Sequence, residues 1–324
     1  MAEPQEILKS YKQIFIVCDR NVEALARMSG DYPLLSFHAS EQTKTFESVL
    51  GICRWLLEQN AGRDSIVLAV GGGVTTDVVG FAASIYKRGI AYADIPTTLL
   101  AMVDAGIGGK TGVNLDSYKN MLGSFRQPAF VRIYPEVLRS LPKKEFLSGA
   151  AEMLKTFIIS NKADSYARAV RLFTAYSQSG RSPLDTPEGL KELSDLISAA
   201  VAVKQEIVDK DPLEKGERRV LNLGHTWAHA IEWRLPGQFT HGEAVAIGIV
   251  QAARKAESLG LAEKGLAEHL TADFTACGLP TELPCPEQEL LPAMRRDKKA
   301  DGDGGVQLVL PVKIGKVTVK SIEL

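Results

Sequence analysis

The chain has 324 residues, 45 % hydrophobic and 24 % charged, with a formal net charge of −1; the length favours two domains and the composition is that of a soluble globular protein. The near-zero charge gives no general attraction to nucleic acid or to an anionic membrane, and no apolar run reaches the roughly 20 residues of a membrane span. The Met-Ala-Glu-Pro start lacks the basic and apolar parts of a signal peptide, and Cys18, Cys53, Cys277 and Cys285 show no C-x2-C spacing, so reduced thiols in a cytoplasmic protein are expected.

In chain order, Q-I-F-I-V-C (13–18) reads as a strand ending at Asp19, and residues 43–58 as an amphipathic helix. S-I-V-L-A-V (65–70) is a buried strand running into Gly71, Gly72 and Gly73, followed by a helical pattern with Asp77 in its first turn. I-A-Y-A-D-I (90–95) and A-F-V-R-I-Y (129–134) read as further strands, with a flexible glycine-rich loop at 103–114 between them. This alternation implies a mostly parallel sheet wrapped by helices. After about residue 143 the pattern turns to long helices, with a short strand pair near V-Q-L-V-L and K-V-T-V-K. Two domains follow, 1–142 and 143–324, with a ligand expected in the cleft between them. There is no internal repeat and no low-complexity linker.

Glycines directly after a buried strand let the backbone approach a pyrophosphate, and the next helix turns its N-terminal amides toward the negative charge. The run is not a G-x-G-x-x-G fingerprint, and a plain tight turn is the competing reading. In the loop at 103–114, Lys110 stands beside Asp104 and Asn114, without the spacing of a P-loop; Lys119, Asn120 and Arg126 follow. Any one of these cations suits a solvated surface, but their crowding beside glycines favours an anionic small molecule.

Three of the five histidines, His225, His229 and His241, fall in one 17-residue window. His225 and His229 stand four apart in a helical pattern, so their rings leave one face roughly 6 Å apart. His241 opens the next apolar helix, with Glu232 and Glu243 nearby. A divalent ion such as zinc accepts imidazole and carboxylate and keeps a catalytic position open. The bland reading is a pair of ordinary helix histidines.

Taken in order, G-G-G-V-x-x-D, Y-x-R-G, I-P-T-T-L-L, V-D-x-x-x-G-G-K-T-G-V-N, K-N-x-x-G-x-F, L-P-x-x-E-x-x-S-G-x-A-E-M-L-K, L-N-L-G-H-T-x-x-H-A-I-E, H-G-E-A-V-A-x-G and D-K-K closely resemble the 3-dehydroquinate synthase family, from about residue 15 to 312. The resemblance implies an α/β N-terminal nucleotide-binding domain plus a mainly α-helical C-terminal metal-binding domain. It also implies a homodimer, a tightly held NAD, one Zn2+ or Co2+, and a sugar phosphate substrate. Carried over by position, the metal ligands are Glu152, His225 and His241; this moves His229 from the metal to the substrate side. The cofactor residues are Asp19, Glu41, Lys44, Gly72, Gly73, Asp77, Thr97, Thr98, Asp104, Lys110 and Lys119. Substrate residues are Arg88, Lys110, Lys119, Asn120, Lys155, Lys204, Arg218, Asn222, His229 and one lysine of Lys298 and Lys299, with Lys299 preferred. The implied reaction converts 3-deoxy-D-arabino-heptulosonate 7-phosphate to 3-dehydroquinate and phosphate. It proceeds by transient NAD oxidation, β-elimination, reduction, ring opening and intramolecular aldol closure, a carbon–oxygen lyase reaction in the shikimate pathway.

The chain departs from the family pattern at Ser40, Thr75, Thr76, Gly106, Ile107, Trp227 and Trp233, and it starts late, so a short or absent first strand is expected. None of these removes a metal ligand or a named cation. Three other readings stay open: a different sugar-phosphate cyclase, a metal-dependent polyol or glycerol-phosphate dehydrogenase, and a non-catalytic NAD-binding or metal-stabilised interaction protein.

Overall fold

The computed structural model describes residues 4–116, 118–296 and 306–323, and the chain divides into a first unit, Met1–Leu138, and a second, Arg139–Leu324. The first unit runs α1 (Pro4–Leu8), β1 (Gln13–Asp19), α2 (Glu23–Arg27), β2 (Leu34–Phe37), α3 (Phe46–Glu58), β3 (Ser65–Gly71), α4 (Gly73–Ile85) and β4 (Ala91–Pro96). β1 to β4 form one parallel sheet in the order β2-β1-β3-β4, with Cys18 opposite Val70 and Val70 opposite Ile95.

β3 is buried at every residue, as an unbroken apolar run must be when both faces are covered. Its side chains alternate between two cores. Val67 and Ala69 join Phe15 and Val17 of β1, Ile52 and Leu56 of α3, and Val78 and Val79 of α4 on one face. Ile66, Leu68 and Val70 join Ile16, Cys18 and Ala26 on the other. Each aliphatic side chain so buried is worth roughly 1.5–3 kcal/mol relative to exposure. From β1 the chain turns outward to β2 and later returns to lay β3 on the opposite side. The strand ends of β1 and β3 therefore flank the point where the sheet order reverses, where parallel sheets open a ligand crevice.

Three local expectations change. Residues 103–114 are only partly loop, because Lys110 opens β5 (Lys110–Leu115), which pairs antiparallel with β6 (Tyr118–Phe125). Gly112 faces Gly123 across this hairpin, and a Cβ on either would run into the facing backbone. Residues 129–134 form no strand; a single bridge, Asp94 to Val131, joins them to β4. Pro128 and Pro135 bracket the segment and withhold the amides a longer ladder needs. The helix expected from residue 43 begins at Phe46, because Glu41–Thr43 forms a 3-10 turn closed by a capping box with Ser40, and Thr45 then caps the helix through Ser48 N.

The second unit is helical as expected: α5 (Lys143–Ile159), α6 (Ala163–Ser179), α7 (Pro187–Lys210), α8 (His225–Arg234), α9 (His241–Ser258), α10 (Leu266–Ala276) and α11 (Glu287–Arg296), then the hairpin β7 (Val306–Lys313) and β8 (Lys316–Ile322). α5 and α9 are buried along most of their length. Two glycines of α9 set its packing: Gly242 lies on the backbone of Ser148 in α5, and Gly248 on that of Gly224 just before α8. A side chain at either position would push the helices apart.

Candidate active site

In the first unit, Gly72 is the N-cap of α4 and no side chain caps that helix, so its first-turn amides are left for another acceptor. The glycines also have a packing role: a Cβ on Gly71 would strike Thr75, one on Gly72 would come 3.0 Å from Thr98 Cγ2, and one on Gly73 2.9 Å from Ala105 Cβ. Asp19 ends β1, one strand over, and its carboxylate accepts from Asn21 N at 3.1 Å. Thr97 N donates to Gly71 O at 2.9 Å, and the Thr98 hydroxyl accepts from Ala101 N at 3.1 Å, opening a π-helical turn, Ala101–Ala105, that carries Asp104.

Asp77 lies in the second turn of α4 rather than the first. There it takes the ammonium of Lys44 at 2.6 Å, and the same ammonium donates to Asn120 Oδ1 at 2.5 Å. Lys44 is buried. Asn114 Nδ2 donates to Glu41 at 2.8 Å, Asn120 N to Asn114 Oδ1 at 2.9 Å, and Lys119 Nζ stands 3.8 Å from Glu41. The structure thus brings Glu41, Lys44, Asp77, Lys119 and Asn120 into one polar network that clips the β5–β6 hairpin to the turn before α3. Lys110 is exposed at the start of β5, and Arg88 is exposed with a left-handed backbone, φ 69°.

Among the described residues of the second unit, Glu152, His225 and His241 offer ligand atoms that all lie within 4.8 Å of one another. Glu152 is fully buried in α5. Its Oε1 stands 3.9 Å from His225 Nε2 and 3.2 Å from His241 Nε2, and Lys155, one turn on and itself buried, pairs with its other oxygen. His225 and His241 are the first residues of α8 and α9. Gly224, at φ 81°, turns the chain into α8, and Thr240 starts α9 through a capping box with Glu243. Glu243 therefore serves the helix start, with Lys144 at 3.4 Å, and not the histidines.

His225 Nδ1 lies 3.2 Å from Leu223 O, and His241 Nδ1 lies 3.2 Å from Glu232 Oε1. Burial and the Lys155 ammonium push His225 down to about 3, so its ring is neutral. Burial opposes charge on His241 as well, but hydrogen bonds to Glu152 and Glu232 outweigh it and lift the ring to about 10. His229 is exposed, its ring 5.4 Å from that of His225, and it is not part of the converging trio.

Two ligand atoms on a tetrahedral zinc, with bonds of about 2.0–2.2 Å, stand about 3.4 Å apart. The observed 3.2 and 3.9 Å bracket that value. Two imidazoles and a carboxylate, with a fourth position left to water or substrate, are a fitting donor set for zinc or cobalt. On the nucleotide side, the uncapped helix start, the glycines and Asp19 on the neighbouring strand fit a dinucleotide.

The remaining named residues are placed as follows. Lys204 is buried in α7; Arg218, also buried, donates from Nη1 to Pro212 O at 2.8 Å; Asn222 donates to Glu214 at 2.9 Å. Asp211 holds the loop before Arg218, accepting from the amides of Lys215, Gly216 and Arg218. Lys298 and Lys299 lie outside the described residues. Thr75 and Thr76 point into the fold, both buried, Thr76 donating to Gly73 O at 3.0 Å, so neither crowds the outer side of the glycine turn. Trp227 is buried and donates to Glu287 of α11 at 2.9 Å, while Trp233 is exposed. Sequence reasoning passed over Asp94. Its carboxyl is buried in β4 with Oδ1 lacking a partner among the described residues, and burial, with the Asp77 charge added, holds it well above the usual carboxylate range. A lone acid inside an apolar strand was the available signal.

An α/β unit with a glycine turn at a strand end, followed by a helical unit carrying a histidine–histidine–glutamate trio, defines the dehydroquinate synthase-like fold class. ValA of Streptomyces hygroscopicus subsp. jinggangensis 5008, a 2-epi-5-epi-valiolone synthase solved with NAD+ and Zn2+ bound, superposes with a TM-score of 0.84 at 28 % identity, over 97 % of this chain and 88 % of that one. Within this class the chain belongs to the 3-dehydroquinate synthase family and is an enzyme: the family's N-terminal profile matches residues 34–148 and its C-terminal profile residues 149–300. The 3-dehydroquinate synthase of Shewanella halifaxensis is 39 % identical over 99 % of this chain and 89 % of its own length. That of Acidithiobacillus ferrooxidans is 42 % identical over 94 % and 84 %.

Proposed function

We propose that this enzyme converts 3-deoxy-D-arabino-heptulosonate 7-phosphate to 3-dehydroquinate and phosphate, with NAD recycled within each turnover and one divalent ion, zinc by preference. The observation that carries this reading is the convergence of His225 Nε2, His241 Nε2 and the buried Glu152 carboxylate in a chain of this family. Residues 1–142 serve as the NAD-binding domain and 143–324 as the metal- and substrate-binding domain. We place the enzyme in the cytoplasm as a homodimer, with no nucleic-acid or membrane partner; among the described residues no helix is long and apolar enough to cross a membrane.

Bound NAD, held by Gly72, Gly73, Asp77, Thr97, Thr98 and Asp104 with Asp19, Glu41, Lys44, Lys110 and Lys119, would supply reversible hydride exchange at a substrate carbon. Bound zinc, held by Glu152, His225 and His241, would supply Lewis acidity toward vicinal hydroxyl oxygens. The chain does the rest with fixed charge. Arg88, Lys110, Lys119 and Asn120 in the first domain, and Lys155, Lys204, Arg218, Asn222 and Lys299 in the second, supply the cations and amides suited to a carboxylate and a phosphate. Lys155, already against Glu152, keeps a positive charge where an oxyanion would develop. His229, an exposed imidazole that can both donate and accept, is suited to hold or release a proton at a substrate hydroxyl.

The test is phosphate release from the heptulosonate phosphate with catalytic NAD and added zinc, followed alongside absorbance of NADH. Phosphate and dehydroquinate without NADH build-up are expected. Stoichiometric NADH would instead identify a polyol or glycerol-phosphate dehydrogenase, and no reaction would point to a cyclase for another sugar phosphate.

A further inference from the structure

The histidine–glutamate trio has an acidic neighbour to which the resemblance assigns no role. Glu232 sits in the last turn of α8, its side chain 9 % exposed, with Oε1 3.2 Å from His241 Nδ1. We propose that Glu232 is a positioning residue that fixes the tautomer and ring direction of His241 and sets the affinity of the trio for a divalent cation; the proposal rests on the metal reading above.

A histidine that ligates through Nε2 must carry its proton on Nδ1, and that proton needs an acceptor. His225 uses the backbone carbonyl of Leu223, which no substitution can remove. His241 uses a side-chain carboxylate instead. The contact also spans the turn between α8 and α9, so the direction of the His241 ring is set from the preceding helix as well as from its own backbone.

Charge makes the same point. Among the described residues, the trio has beside it the Glu152 carboxylate, the Lys155 ammonium and the starts of α8 and α9, each helix start worth roughly half a positive charge. Glu243 offsets the start of α9 alone, through its capping bonds to Thr240. Glu232 adds a negative charge against these positive ones, which favours a divalent cation at the trio.

Zinc affinity of chelator-stripped full-length enzyme, measured by competition with a chromophoric chelator, tests this without reference to turnover. Glu232→Ala is expected to weaken zinc binding by about 10- to 100-fold. Glu232→Gln, of the same shape without the charge, is expected to weaken it as well, and Glu232→Asp to recover part of the loss. Glu243→Gln, which weakens the helix cap and the pairing with Lys144 but leaves the histidines untouched, should bind zinc as the wild type does while melting at lower temperature. If Glu232→Ala fails to fold, the Gln and Asp variants decide. Glu232 variants that bind zinc as tightly as the wild type would overturn the proposal and leave the metal site standing. A wild-type protein that binds no zinc would overturn both.

Discussion

Asp94 shows how one side chain can load a sheet with a pH-dependent cost. Its folded-state carboxyl titrates above the usual range because burial, and then the Asp77 charge, disfavour the anion. Folding therefore favours the protonated form. The contribution is fully present below the unfolded value of about 3.9 and is lost as pH rises through the raised folded value. Asp94→Asn removes the ionisation, so urea unfolding should show the variant gaining stability over wild type at pH 8 and little or none near pH 4. A constant difference across that range would mean that Asp94 is not protonated in the fold. Lys44 is the opposite case. Its ammonium is buried but donates to Asp77 and Asn120 together.

The elements explain why the trio converges. Glu152, His225 and His241 come from three helices, and their spacing depends on backbone approaches that only glycine allows, Gly242 on Ser148 and Gly248 on Gly224. Gly248→Ala should cost roughly 1–3 kcal/mol in chemical denaturation through overpacking, and it should also weaken zinc binding by moving α9 away from the start of α8. Loss of stability with unchanged zinc affinity would show that the crossing supports the fold but not the ligand geometry. Much of this was legible in the sequence. The i, i+4 histidines came out on one helix face with rings 5.4 Å apart, and His241 opened its helix as the apolar pattern implied. The buried run before the glycines became the central strand β3. What periodicity could not supply was tertiary. The β5–β6 hairpin hid inside a glycine-rich stretch because its short strands draw their order from cross-strand glycines and from Glu41 and Lys44 far along the chain. The expected strand at 129–134 had the right residue types but was limited by its flanking prolines to one bridge. Spacing alone first put His229 beside His225 as a metal ligand. Geometry gathers Glu152 instead, a residue far away in sequence that no local window could pair with them.

At the scale of the molecule, the two units follow the chain's sequence patterns, strand-and-helix alternation in one and long helices in the other. A net charge of −1 over 324 residues means that the cations named for substrate are local concentrations and not an overall field. Binding of a phosphate-bearing substrate should then rely on close contacts more than on long-range steering. Sedimentation equilibrium is expected to return twice the chain mass, and a single-chain mass would remove the homodimer from the reading. Trp227 adds a property of another kind. Of the three tryptophans, it alone is fully buried, on α8 two residues after His225 with its indole tied to Glu287. The protein thus carries its own optical label on the helix that supplies His225. Light absorbed by that indole should report the filling of the site through a change in emission, with no dye and no turnover required.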